Sequence, residues 1–165
     1  MKEHPILFSA PMVLALLDGR KTQTRRLNAN RYGVPGDHLW VRESLRRRDD
    51  ATSFWTYAAD DKAIKLPANH PDVGAMLSWA HHKEGSSCPS IHMPRWASRI
   101  TLEVIELRQE RLQYISEADA KAEGYFSTRE SFAVLWEKIN GKVAPWSSNP
   151  RVWVVTFKVI KGGLK

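Results

Sequence analysis

The chain is 165 residues long and 42% apolar, with a net charge of +7 and one cysteine. That length makes one domain, which buries about 70% of its unfolded surface and needs no staples. The composition excludes a disordered chain, the lone Cys88 excludes an internal disulfide, and the basic balance favours phosphate-bearing partners.

Met1 to Pro5 is polar, and the apolar stretch after it is short and broken by Pro11. Neither a signal peptide nor a membrane span is expected, and the protein is expected to be cytoplasmic. Pro5-Ile6-Leu7-Phe8-Ser9 reads as a short buried strand or an extended entry. Ser9 can cap a helix over roughly 10–18, with Pro11 in its first turn and Val13, Leu16 and Leu17 on its apolar face. Gly19 stops that helix in a left-handed conformation. A basic turn follows: Gly19-Arg20-Lys21-Thr22-Gln23-Thr24-Arg25-Arg26. Tyr32 to Asp37 carries turn signals. His38 to Ser44 alternates as a strand, with Leu39 and Val41 on one face and Trp40 and Arg42 on the other. Ser53 to Ala58 is a second such stretch. Residues 60–92 hold Pro67, Pro71, Gly74, Gly85 and Pro89, so the region of about 45–95 reads as an insertion or lid, with a short strand at 75–80.

Arg99 to Leu107 is a strand with Ile100, Leu102 and Val104 inward. Ser116 caps a short helix that ends before Gly124. Ser127-Thr128-Arg129-Glu130 is a capping box, opening a helix with Phe132, Leu135, Trp136 and Ile139 at helical spacing that Asn140-Gly141 stops. Arg151 to Ile160 is the last strand, and Trp136 and Trp153 belong to the core. Helices and strands do not alternate regularly, which argues against a doubly wound parallel sheet. An α+β domain fits, built on a small, mostly antiparallel β-barrel flanked by short helices.

Positive charge is concentrated early. Residues 19–48 hold nine basic residues against Asp37 and Glu43, about twice the average density of the chain. That is the footprint of an anion-binding face, although Arg and Lys also protect sheet edges. Lys21 and Thr24 are three apart, a spacing that puts them on one side of a helical turn. The cations Arg20, Arg25 and Arg26 would lower the Lys21 pKa, and a neutral Lys beside a Thr can activate its hydroxyl. The alternative is a loop that contacts phosphate and does no chemistry.

The pattern Gly19-Arg20-Lys21-Thr22-x-Thr24-x-Arg26, followed by Pro35-Gly36-Asp37 opening a strand, resembles the ASCH domain, a relative of the PUA fold. The strand Val152 to Phe157 is similar to the closing strand of that domain. The resemblance covers most of the chain outside 45–95. The opening Pro5-Ile6-Leu7-Phe8-Ser9-x-Pro11-Met12 is similar to a longer form encoded by bacteriophages and prophages. The resemblance implies one PUA-like domain over 1–165 and a cleft lined by the Lys-Thr turn. It implies RNA or a modified nucleoside as partner, with no cofactor.

One branch of the family is similar to N4-acetylcytidine amidohydrolases, which use a Lys proton acceptor, a Thr nucleophile and a Glu proton donor. Lys21 and Thr24 match the first two by motif. Glu123 falls at the place of the third, with Glu117 and Glu43 as alternatives. The 45–95 insertion departs from the pattern and is expected either to cap the cleft or to build a surface for larger nucleic acid. Arg26 or backbone N–H groups are the candidate donors to an oxyanion.

Two further clusters stand out. His81, His82, Cys88 and His92 are metal-ligand types, but their spacing matches no established ligand pattern, and no metal is expected. Trp40, Trp96, Arg42, Arg95 and Arg99 put aromatic rings beside guanidinium groups, as base-stacking surfaces do, and with Glu43 they are candidates for one wall of the cleft. Three functions remain open at this point: a hydrolase, an RNA-binding module without turnover, and a ribonuclease using the same cleft.

Overall fold

The computed structural model describes residues 1–28, 32–47, 55–64, 87–124 and 128–162. Strand β1 (Glu3–Leu7) leads into α1 (Ala10–Leu17), then β2 (Gln23–Arg26) and β3 (His38–Arg42). Three short strands follow: β4 (Leu45–Arg47), β5 (Trp55–Tyr57) and β6 (Ser87–Cys88). The long β7 (Thr101–Arg111), two helices α2 (Glu117–Ala122) and α3 (Arg129–Asn140), and β8 (Arg151–Lys161) complete the chain.

The main sheet has the order β1-β3-β7-β8-β2. Only the β1–β3 pair is parallel; β3–β7, β7–β8 and β8–β2 are antiparallel. The alternation read from the sequence places the core. Leu39 and Val41, Leu102 and Val104, and Val155 and Phe157 point from their strands onto Val13 and Leu16 of α1. A register shift between Val104 and Glu106 breaks the alternation in β7 and leaves Ile105 exposed.

The mixed α+β class holds, but the sheet is open rather than closed into a barrel. Its edges β1 and β2 make no backbone ladder with each other. The chain runs from one edge to the other through α1, and a side chain bridges the open side: Arg26 Nη2 donates to the Leu7 carbonyl at 2.9 Å.

Both ends of the expected insertion carry structure. β4, β5 and β6 form a separate antiparallel sheet over Leu45, Trp55, Tyr57, Cys88 and Met93. The expected strand at 75–80, with His81 and His82, lies outside the described residues. A third apolar cluster, with Leu112, Ile115, Phe132, Trp136 and Val152, fixes α2 and α3 against the far end of β7 and β8.

Details of the helix ends differ from expectation. Ser9 stands at the N-cap of α1 with no side-chain hydrogen bond, and Pro11 removes one donor from the first turn. The capping box of α3 is Thr128 with Ser131, one residue later than Ser127 with Glu130. Ser116 caps α2 as expected, with Asp119 as its reciprocal partner. Among the described residues, no helix is long and apolar enough to cross a membrane.

Candidate functional site

The basic turn is shaped by the elements around it. α1 ends at Gly19, whose φ of +72° is the left-handed conformation that the sequence predicts. The amides of Arg20 and Lys21 both donate to the Ala15 carbonyl, at 2.9 and 3.0 Å. The Thr22 amide donates to Ala122 of α2 at 2.8 Å, and its carbonyl accepts from Phe157 of β8 at 2.9 Å. Three elements therefore clamp the backbone just before β2.

This clamp drives Lys21 inward. Its side chain is 1% exposed. Nζ donates to the Gln23 carbonyl at 2.7 Å, the Glu123 carbonyl at 2.8 Å and Glu123 Oε2 at 3.0 Å. It also lies 5.2 Å from the centre of the Phe8 ring. Burial pushes the Lys21 pKa below the usual lysine value; the Glu123 carboxylate opposes that shift, and Arg26 and Arg25 add to it. The direction expected from the sequence is right, but the leading cause is desolvation rather than neighbouring cations.

Gly124, just past α2, makes this approach possible. It sits at φ +91°, and a Cβ there would stand 2.5 Å from Lys21 Cβ and 2.9 Å from Ala15 Cβ. Gly124→Ala is expected to cost about 2–3 kcal/mol, from left-handed strain plus overlap with Lys21. Urea denaturation followed by tryptophan fluorescence measures it, and a loss under 0.5 kcal/mol would contradict this packing.

Thr24 is buried in β2 and lines the same cleft as Lys21 and Glu123. The helical-turn argument for the Lys21–Thr24 pair does not hold, because Gln23 to Arg26 is a strand. The two residues line the same cleft because Lys21 turns in from the preceding loop. The cleft has a volume of about 160 Å³. Arg25, Arg26 and Glu123 complete its polar side, while Phe132, Leu135, Trp136 and Ile139 of α3 form an apolar wall. Trp136 is thus both core and wall, its Nε1 donating to the Ala144 carbonyl at 2.8 Å. Ile139, expected on the buried face of α3, is 65% exposed at the rim.

Arg25 is not free to hold a ligand's charge. Its side chain is fully buried. Nε and Nη2 both donate to Glu110 Oε1, at 3.1 and 2.8 Å, Nη2 lies 3.2 Å from Asp119 Oδ2, and Nη1 donates to Glu123 Oε1 at 3.2 Å. Both oxygens of Glu123 are therefore held, one by Lys21 and one by Arg25. Arg20 is exposed and outside the cleft; it pairs with Asp18 at 2.8 Å and donates to the Gly124 carbonyl.

The second expected wall is elsewhere. Trp40 has Arg42 and Arg95 beside it, with guanidinium carbons 4.7 and 5.6 Å from its ring centre. Arg42 donates to the Met93 carbonyl, and Arg95 grips Glu3 with two bonds at 2.7 and 3.0 Å. Trp96 packs against the core of the small sheet. Arg99 is held by both oxygens of Glu43, at 2.8 and 2.9 Å, and by Asp60 at 2.8 Å. None of Trp40, Arg42, Glu43, Arg95, Trp96 and Arg99 lines the Lys21 cleft. Of the alternative carboxylates, Glu43 belongs to the Arg99 cluster, and Glu117 accepts from the Arg129 amide at 3.1 Å, at the start of α3.

Sequence reasoning assigned no role in the cleft to Phe8 or Phe132. Phe8 sits just beyond β1 as a platform under Lys21 and Arg26, and Phe132 faces Arg25 from α3. Their signal was only that of core residues in apolar runs.

No protein-family model matches the chain, and no curated protein matches it in sequence. Two solved structures are similar to it in three dimensions. The crystal structure of an ASCH domain from Lactobacillus crispatus JV V101 aligns with a TM-score of 0.51 at 12% identity, over 97% of this chain and 80% of that one. A protein from Enterococcus faecalis V583, whose family model is DUF984, aligns with a TM-score of 0.48 at 10% identity, over 98% and 82%. The chain has the fold of an ASCH domain, as the turn and strand motifs imply.

Proposed function

We propose that the cleft takes a modified nucleoside and that the chain hydrolyses an N4-acylated cytidine there. The observation that carries this reading is the convergence of Lys21 Nζ, the Glu123 carboxylate and Thr24 on one cleft. Its volume of about 160 Å³ is below the roughly 300–1,000 Å³ of drug-sized sites, which favours one flat ring with a short acyl group.

The chemistry follows from the pair. Passage of one proton from Lys21 Nζ to Glu123 Oε2, across 3.0 Å, leaves an amine beside a carboxylic acid. Burial lowers the Lys21 pKa, which works in the direction of that exchange. Thr24 Oγ attacks the acyl carbon and gives its proton to Lys21. The C–N bond then breaks as Glu123 protonates the leaving amine of cytidine, and water hydrolyses the acyl-threonine ester, releasing the carboxylic acid and freeing Thr24.

The test is incubation with N4-acetylcytidine and measurement of cytidine release. The wild-type protein is expected to release cytidine. Thr24→Ala is expected to reduce turnover by about 10³-fold or more while keeping nucleoside affinity within a few-fold, since the hydroxyl is a reactant rather than an anchor. No release by the wild type at high protein concentration would end this reading.

The net charge of +7 favours a second reading, RNA binding without turnover. It weakens at the turn itself, where Arg25 is neutralised by Glu110, Asp119 and Glu123. This reading would appear as no cytidine release together with RNA affinity that falls steeply with salt.

A further inference from the structure

Arg26 is set up differently from the other cations of the turn. It lies two residues after Thr24 in β2, and side chains two apart in a strand share a face. It lines the same cleft. Its position is fixed from two directions: Nη2 donates to the Leu7 carbonyl at 2.9 Å, and the guanidinium carbon stands 5.4 Å from the centre of the Phe8 ring. Neither contact is to a carboxylate. Its Nε is buried and makes no hydrogen bond. Nε is closed off from the cleft, but the guanidinium lines it with no carboxylate partner among the described residues, so its charge is left to attract a ligand oxygen. By contrast, Arg25 is fully engaged by acidic side chains.

We infer that Arg26 receives the acyl carbonyl oxygen of the ligand and stabilises it as negative charge develops there. The inference rests on the reading of the cleft as an N4-acylcytidine site. Attack by Thr24 moves an electron pair from the carbonyl π bond onto that oxygen. A guanidinium already held by Phe8 and Leu7 needs no rearrangement to meet it. Arg26 is then a specificity residue as well. It distinguishes an acylated nucleoside from the free one, because only the former brings an acyl oxygen to that charge.

The experiment uses Arg26→Lys, Arg26→Gln and Arg26→Ala, each confirmed folded by thermal melting. With N4-acetylcytidine, kcat is expected to fall by about 10²–10³-fold in Arg26→Ala and Arg26→Lys, with KM changing much less. Millimolar methylguanidinium is expected to restore part of the activity of Arg26→Ala, and Arg26→Gln, which carries no charge, to fall at least as far as Arg26→Lys. A purely structural role would give no such rescue and no split between kcat and KM.

A binding arm separates failure of the inference from failure of the hydrolase reading. In the Thr24→Ala background, N4-acetylcytidine is expected to bind at least several-fold more tightly than cytidine, and adding Arg26→Ala is expected to abolish that preference. If the wild type releases no cytidine but the preference exists and depends on Arg26, hydrolysis is lost and the carbonyl site stands. If Arg26→Ala weakens both ligands equally, or leaves kcat within three-fold of wild type, the inference is overturned.

Discussion

Lys21→Met is expected to destabilise the fold by about 3–5 kcal/mol, and Lys21→Met/Glu123→Leu to recover roughly half of that loss. A domain of this size is held together by only about 5–15 kcal/mol, so the single variant sits near the limit of folding. The reason is asymmetric. Removing the ammonium leaves Glu123 Oε2 in a site where the whole side chain is 5% exposed, with Arg25 still holding Oε1. A buried carboxylate oxygen stripped of its cation costs more than the pair itself contributes. The double variant removes that charge and restores apolar volume beside Phe8. It does not restore the donors lost by the carbonyls of Gln23 and Glu123, so recovery stops short of wild type. Urea denaturation of wild type, both single variants and the double variant closes the cycle. A Lys21→Met loss under 1 kcal/mol would mean that Arg25 alone suffices for Glu123.

The position of the turn was legible because its signals are local. A helix stop at Gly19, a run of charged residues and a Gly-Asp strand start lie within about twenty residues of one another. Core faces were legible for the same reason, since period-two alternation in 38–44 and 99–107 is a property of neighbours. Pairing was not legible. Arg25 and Glu110 are 85 residues apart, and Arg99 and Glu43 are 56 apart, so no count of charges reveals that these guanidinium groups are already occupied. Of the expected ligand-holding arginines, only Arg26 lines the cleft without a carboxylate partner among the described residues. The open sheet was missed for a related reason. Alternation marks which face of a strand is buried, and β1 and β2 would look the same whether or not a ladder joined them.

The second large effect lies away from the cleft, in Arg99. Arg99→Met is expected to cost about 3–5 kcal/mol at neutral pH, and clearly less near pH 5. Arg99 joins three parts of the molecule: Glu43 just after β3, Asp60 after β5, and the stretch leading into β7. It also lies over the Tyr57 ring, 3.9 Å from its centre. Its loss strands the Glu43 carboxylate, whose side chain is 2% exposed. Burial already raises the Glu43 pKa above its ordinary value even with Arg99 present, and without Arg99 it rises further.

A carboxyl whose native pKa is raised binds its proton more tightly when folded. Its contribution to stability is therefore present at low pH and is lost as pH climbs through the native value. The variant thus pays its penalty mainly above that range, whereas below it Glu43 is neutral and tolerates the apolar site. Adding Glu43→Gln to Arg99→Met removes the titrating group and is expected to flatten the pH dependence while restoring part of the neutral-pH loss. Denaturation midpoints at pH 5 and pH 7 for the two variants decide the matter. An Arg99→Met penalty that does not change with pH would assign the strut to Asp60 rather than Glu43. A penalty that is small at both would contradict a structural role for Arg99, since removing a side chain that ties the small sheet to the main one carries a large cost.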